Sequence, residues 1–261
     1  MWLIKLNYYL GCIMALPLLP LMARHGKLVK DAVPELPAPT DITGAIPEGS
    51  TPQFHLITIG ESTVAGVGVS HHREGLAGSL AMALAEQTGL AVGWHVYAKS
   101  GFTAGKVNQN IIPNIPSQPA DLIVIGLGAN DAFQLNSPMK WAKNIKRVIE
   151  SVQLKFPQTP IVMLNMPPIK RFPAMTWLLK LTLGNLVILN GEALEQVVKK
   201  YQDVYYHSER ITLENWSKKH NIVNDTDQYF SDGIHPSQLT YALWAKDVSA
   251  YIKEQNILSG K

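Results

Sequence analysis

The sequence predicts a three-layer α/β/α domain on a mainly parallel sheet of five strands, and three observations carry that reading. Apolar, β-branched runs at 54–60, 92–98, 121–127, 161–165 and 204–206 alternate with segments of helical periodicity. The run from Asp121 to Leu127 is apolar without alternation, the pattern of a strand covered on both faces. With 261 residues and 46% hydrophobic content, the chain is long enough to bury one sizeable core plus an appendage.

The appendage comes first. Leu6 to Ala23 carries no charged side chain, with Lys5 before it and Arg24, Lys27 and Lys30 after it. About 18 apolar residues are the lower limit for crossing a hydrocarbon layer of ~30 Å. A cleaved signal peptide fits less well, because Leu21-Met22-Ala23 lacks the small-x-small cleavage pattern, and a lipoprotein signal ending at Cys12 is poorly served by Tyr9 and Leu10. The favoured reading for 1–30 is an uncleaved anchor that spans or lies in a membrane of the bacterial inner-membrane type, with Trp2, Tyr8 and Tyr9 suited to the interface. The distribution of basic residues leans toward a cytoplasmic domain and leaves a periplasmic one open. Pro17 and Pro20 are expected to kink the element. Residues 31–51, with prolines at 34, 37, 39 and 47, read as an extended linker, and 52–261 as the folded domain.

Within the domain the first strand ends at Gly60-Glu61-Ser62, which delivers Ser62 to a turn at the carboxyl edge of the sheet, where open α/β folds bind ligands. Leu76, Leu80 and Leu84 recur at helical spacing until Gly89 stops the helix. The second strand runs into Lys99-Ser100-Gly101, the third into Gly128-Ala129-Asn130-Asp131. Ser137-Pro138 starts a helix marked by Trp141, Ile145, Val148 and Val152 on one face. From Trp177 to Leu189 the chain is nearly uncharged, and reads either as a buried helix on the sheet or as a cap or second membrane contact. A helix from Ser237 to about Gln255 closes the domain.

Ser62 as a nucleophile needs a base, an orienting carboxylate and donors for a developing oxyanion. The loop Tyr229 to Pro236 supplies the first two: His235 can take the serine proton, and Asp232, three residues earlier, can hold the imidazole tautomer. The Ser62 and Gly101 backbone N–H groups and the Asn130 side-chain amide stand at neighbouring strand ends as oxyanion donors. A serine after a strand is ordinarily a cap or turn residue, and it is the other blocks that raise Ser62 above that.

These blocks resemble the SGNH/GDSL hydrolase family over essentially all of 51–255: Gly60-Glu61-Ser62, the Gly101 turn, Gly128-Ala129-Asn130-Asp131, and Asp232 to His235. The resemblance implies a flavodoxin-like sheet, a Ser62–His235–Asp232 triad, an oxyanion hole of Ser62, Gly101 and Asn130, and neither metal nor organic cofactor. Glu61 stands where the family usually has Asp. The expected activity is hydrolysis of carboxylic esters, acyl or lipid, through an acyl-enzyme. The alternatives are an acetylesterase acting on cell-envelope saccharides and an inactive binding protein on the same fold.

Other classes fit poorly. A net charge of +3 with no basic block argues against nucleic acid as a partner, and a single cysteine leaves no disulfide framework or Cys-x-x-Cys site. Adjacent His71 and His72 make a poor metal pair. The G-x-S-x-G elbow fails at Val64, and a dinucleotide fingerprint fails at Asp131, which reads as a structural loop residue.

Overall fold

The structure is a computed structural model that describes residues 1–220 and 226–258. Two helices open the chain, α1 (Trp2–Ala15) and α2 (Leu19–Ala32), joined by a 3₁₀ turn at Leu16–Leu18. Pro17 and Pro20 sit at the first turns of their pieces, where a missing N–H does no harm, so the prolines make a joint rather than a break. There follow β1 (Thr43–Ile46), β2 (Phe54–Gly60), α3 (Leu76–Thr88), β3 (Val92–Ala98), α4 (Ala104–Asn110), β4 (Leu122–Gly126), α5 (Ala129–Phe133) and α6 (Pro138–Lys155). The chain ends with β5 (Ile161–Met163), α7 (Trp177–Val198), β6 (Val204–Tyr206), α8 (Leu213–His220) and α9 (Gln238–Glu254).

The strands form one sheet in the order β1-β3-β2-β4-β5-β6, parallel throughout except β1. The five expected strands are present. The sixth, β1, lies in the segment read as linker and pairs antiparallel with β3, Gly44 opposite Trp94. Gly44 is required there because a Cβ would fall 2.2 Å from the Trp94 ring. Four residues among prolines, without alternation, carry no strand signal of their own; the edge of β3 supplies it.

Alternation along the central strands builds two cores. Leu56, Leu122 and Val124 face a layer of α3 and α9, with Leu80, Leu84, Tyr241 and Val248. Ile57, Ile59, Ile123 and Ile125 face α4, α6 and α7, with Trp141, Ile145, Val148 and Leu194. Helix starts follow the sequence signals: Ser137, Thr176 and Ser237 each accept an N–H of the first turn of α6, α7 and α9. Gly89 closes α3 at φ 74°, a left-handed position. In the segment 177–189, α7 buries Leu178, Leu179 and Leu183 and leaves Trp177 and Leu181 exposed.

Consecutive strands leave β2 in opposite directions, β3 to one side and β4 to the other, so the carboxyl ends of β2 and β4 flank the switch point of the sheet. Ligands bind such sheets in the crevice at that point.

Candidate active site

β2 and β4 end side by side at Gly60 and Gly126, and the two backbones touch: a Cβ on Gly60 would lie 2.4 Å from the Gly126 carbonyl oxygen. Beyond them the chain folds into a tight turn. Glu61 N donates to Gly126 O (3.2 Å), Ala65 N to Glu61 O (2.8 Å) and Val67 N to Ser62 O (3.1 Å). Ser62 stands in that turn almost covered, 8% exposed.

Glu61, beside it, is the organising carboxylate. Its Oε1 accepts from Ala129 N (2.8 Å), and its Oε2 from Asn130 N (3.1 Å) and Asn130 Nδ2 (2.8 Å). The first two are backbone N–H groups at the start of α5, which would otherwise be orphaned. Burial pushes the Glu61 carboxyl up from an ordinary 4.5 to about 7, against the pull of the three donors. Asn130 Nδ2 gives its second hydrogen to Phe102 O (3.2 Å), so both its amide hydrogens are engaged in the ligand-free protein.

That second bond ties the β4 loop to the turn holding Gly101, which sits at φ 79° with open space where a Cβ would be. The fully buried Asp131 reinforces the link, as Oδ2 accepts from Ala104 N at the start of α4 and Oδ1 from Asn136 Nδ2, each at 2.8 Å. Burial raises the Asp131 carboxyl, and those donors oppose the rise. Among the described residues, the N–H groups of Ser62 and Gly101 have no protein acceptor. They are free to meet an anion.

Asp232 and His235 come together on the loop before α9. Asp232 Oδ2 and His235 Nδ1 are 2.7 Å apart, while Oδ1 accepts from Ile234 N (2.9 Å) and His235 N (2.7 Å). The Asp232 side chain is fully covered, and burial alone would raise its carboxyl. The hydrogen bonds from His235 and Ile234 outweigh it and hold the group below its ordinary value. With Nδ1–H given to a carboxylate, His235 keeps Nε2 as a proton acceptor. The loop is stitched to the serine turn: Ser231 Oγ is 3.2 Å from Gly68 O and 2.8 Å from Pro236 O, and Tyr241 OH of α9 donates to Val67 O at 2.7 Å. No hydrogen bond joins Ser62 and His235 among the described residues. Such contacts commonly tighten only when substrate arrives.

A cavity of about 300 Å³ lies one step away, between α7 and the segments after β5 and β6. It is lined by Met166, Pro167, Val187, Tyr206 and the side chains of Arg171 and Arg210, and by none of the five residues above. Met166 is the partition: a Cβ on Gly128, two residues before Asn130, would lie 2.6 Å from its Cε. No cluster of three or more His, Cys, Asp or Glu able to hold a metal occurs among the described residues. Sequence reasoning left Glu61 without a role. Its signal was its position beside the nucleophile candidate, but the acceptor geometry needs α5 to be in place.

A sequence profile for the GDSL-like lipase/acylhydrolase family matches residues 58–243. No curated protein matches the chain. Solved structures do, at low identity. A member of the lipolytic protein G-D-S-L family from Veillonella parvula is 18% identical at TM-score 0.55, over 76% of this chain and 96% of that one. A family 3 carbohydrate esterase from Clostridium thermocellum is 17% identical at 0.56, over 77% and 96%. A lipase/acylhydrolase from Enterococcus faecalis is 18% identical at 0.52, over 78% and 97%. The fold is theirs.

Proposed function

The chain belongs to the GDSL-like lipase/acylhydrolase family, and on that premise we propose that it is a serine hydrolase that cleaves carboxylic esters through an acyl-enzyme. The observation that carries the reading is the 2.7 Å contact between Asp232 and His235, on a loop bonded to the turn that holds Ser62. Ser62 Oγ attacks the ester carbonyl while His235 Nε2 takes its proton, and Asp232 stabilises the imidazolium. The tetrahedral oxygen is met by the Ser62 and Gly101 N–H groups and by an Asn130 amide hydrogen. Of its two engagements, the 3.2 Å bond to Phe102 O is the weaker, and is the one to be exchanged. His235 returns its proton to the departing alcohol, and a water deprotonated by the same nitrogen then hydrolyses the acyl-Ser62 ester.

The substrates we propose are acyl or lipid esters at a membrane, which the N-terminal segment binds. Trp2–Ala32 has a mean hydropathy of 1.5 over its most apolar window, and Trp177 and Leu181 add exposed apolar area near the site. A second reading is de-acetylation of saccharides. The charged rim of the neighbouring cavity, with Arg171, Glu192, Glu209 and Arg210, favours it because it suits a polar leaving group.

The test is hydrolysis of p-nitrophenyl esters from acetyl to palmitoyl by the full chain and by Ser62→Ala, together with fluorophosphonate labelling. Activity and label lost in Ser62→Ala, with preference for longer chains, is the expected result. Turnover confined to acetyl selects the second reading. Activity unchanged in Ser62→Ala overturns the mechanism, and a wild type that neither turns over nor labels is a binding protein on this fold.

A further inference from the structure

The N-terminal arm does not stand away from the domain. It runs antiparallel along the whole of α7 and is fastened at both ends: the Met1 amine bonds to Gln196 Oε1 near the end of α7, and His25 Nδ1 pairs with Thr176 Oγ1 at its start, 2.9 Å away. Along the arm Ile4, Tyr8, Ala15, Leu18, Met22 and Val29 turn inward, spaced by three, four or seven residues, a single helical stripe. Met22 and Val29 share an apolar cluster with Ile169, Phe172, Leu178 and Leu183.

The outer face has the wrong chemistry for water. A surface helix packed on a core normally turns polar residues outward. Here Trp2, Leu3, Leu10, Ile13, Met14 and Leu16 face out, Trp2 at 72% and Met14 at 75% exposure. On α2, Leu19, Leu21 and Leu28 are exposed as well, and at the start of α7, beside the α2 end of the arm, so are Trp177 (68%) and Leu181, one turn apart. Exposed Lys5, Arg24, Lys27 and Lys30 lie along the arm, and Asp31 at its end is the first acidic residue in it. Apolar surface edged by cations, with aromatic side chains at its margin, matches an anionic phospholipid leaflet.

A path across the bilayer would have to carry α7 with the arm. The other side of α7 is committed to the domain, with Trp141 Nε1 of α6 donating to Asn190 O at 3.0 Å and Leu194 in the sheet-facing core.

We propose that α1, α2 and the start of α7 form one in-plane seat on a single leaflet, embedded by its outer apolar face, and that the chain does not cross the bilayer. The seat adjoins the candidate active site. Phe172 packs edge-on against Phe230 (centroids 5.6 Å apart), Ala174 N donates to Gly233 O (3.1 Å), and Ile234 touches the cluster that holds Met22. A substrate lying in the leaflet then meets the His235 loop without leaving the lipid surface. This consequence rests on the ester-hydrolase reading; the seat does not, and its tests read topology and binding rather than turnover.

In a Cys12→Ser background, Lys5→Cys and Lys30→Cys are expressed in full-length protein in a bacterial host and probed with a membrane-impermeant maleimide in spheroplasts and in inverted vesicles. Reaction of both from the same side is expected; reaction from opposite sides means a spanning arm and overturns the proposal. Trp177→Ser/Leu181→Ser should weaken flotation with phosphatidylcholine–phosphatidylglycerol vesicles about tenfold or more while p-nitrophenyl acetate turnover stays within about twofold. Unchanged flotation removes α7 from the seat. Efficient Cys12–Cys12 cross-linking in vesicles at high dilution in lipid would show that a second copy, not lipid, covers the face.

Discussion

Glu61→Gln tests whether burial or hydrogen bonding governs the carboxylate that holds the Ala129–Asn130 loop. In the folded protein burial raises this carboxyl from 4.5 to about 7. Between those two pH values the native state keeps a proton that the unfolded chain has lost. Stability from this group is therefore complete below about 4.5, falls as pH rises, and is gone above about 7. At about 1.4 kcal/mol per pH unit, the loss comes to ~3 kcal/mol. Glutamine has the shape of the protonated carboxyl and does not titrate. Its amide nitrogen faces one of the donors from Ala129 or Asn130, a pH-independent penalty of about 1–3 kcal/mol. Urea unfolding of both proteins at intervals from pH 5 to 8 reads the difference, in which titrating groups not coupled to Glu61 cancel. The variant should be the less stable at pH 5 and should gain on the wild type by ~3 kcal/mol by pH 8. A difference constant across that range would refute the reasoning, because it would mean that the three N–H donors keep Glu61 ionised throughout.

Asp232→Asn keeps an acceptor for the Ile234 and His235 N–H groups but turns an amide toward His235 Nδ1, reversing the tautomer. Turnover should fall about 10⁴-fold with folding intact, and a loss under about tenfold would remove Asp232 from the mechanism. Asn130→Ala should lower kcat by about 10²- to 10³-fold with little change in KM; a change confined to KM would mean that the amide binds substrate rather than the transition state. Gly68→Ala forces a side chain onto φ 104°, with its Cβ 2.5 Å from Ser231 Oγ, and should cost about 2 kcal/mol or more in thermal unfolding. A neutral result would show that the serine turn is not pinned to the His235 loop there. Tyr241→Phe leaves the Val67 carbonyl without its buried donor, so about 1–2 kcal/mol of stability should be lost, with no loss expected if solvent reaches that oxygen.

Much of the fold was legible because its signals are local. The unbroken apolar run ending at Leu127 declares a doubly covered strand, and Gly89, Ser137 and Ser237 fall at helix ends for reasons that involve only their own few neighbours. Asp232 and His235, three residues apart, could be paired from sequence because one loop presents both. β1 was not legible: Thr43–Ile46 is a strand only because β3 offers it an edge and Gly44 lets the Trp94 ring lie against it.

For the candidate site the same division holds. Which side chains stand at the ends of β2, β3 and β4 and on the last loop could be read from short segments, because strand periodicity and turn chemistry are local properties. What those side chains do to one another depends on the folded chain. It brought α5 over Glu61, engaged both hydrogens of the Asn130 amide, and set Met166 between Gly128 and the nearest cavity. It also turned an apolar stretch, equally readable as a span or a surface element, into an arm fastened along α7. Hydrogen bonds and packing between residues 28 to 195 positions apart depend on where the backbone carries each group, and no local pattern encodes that distance.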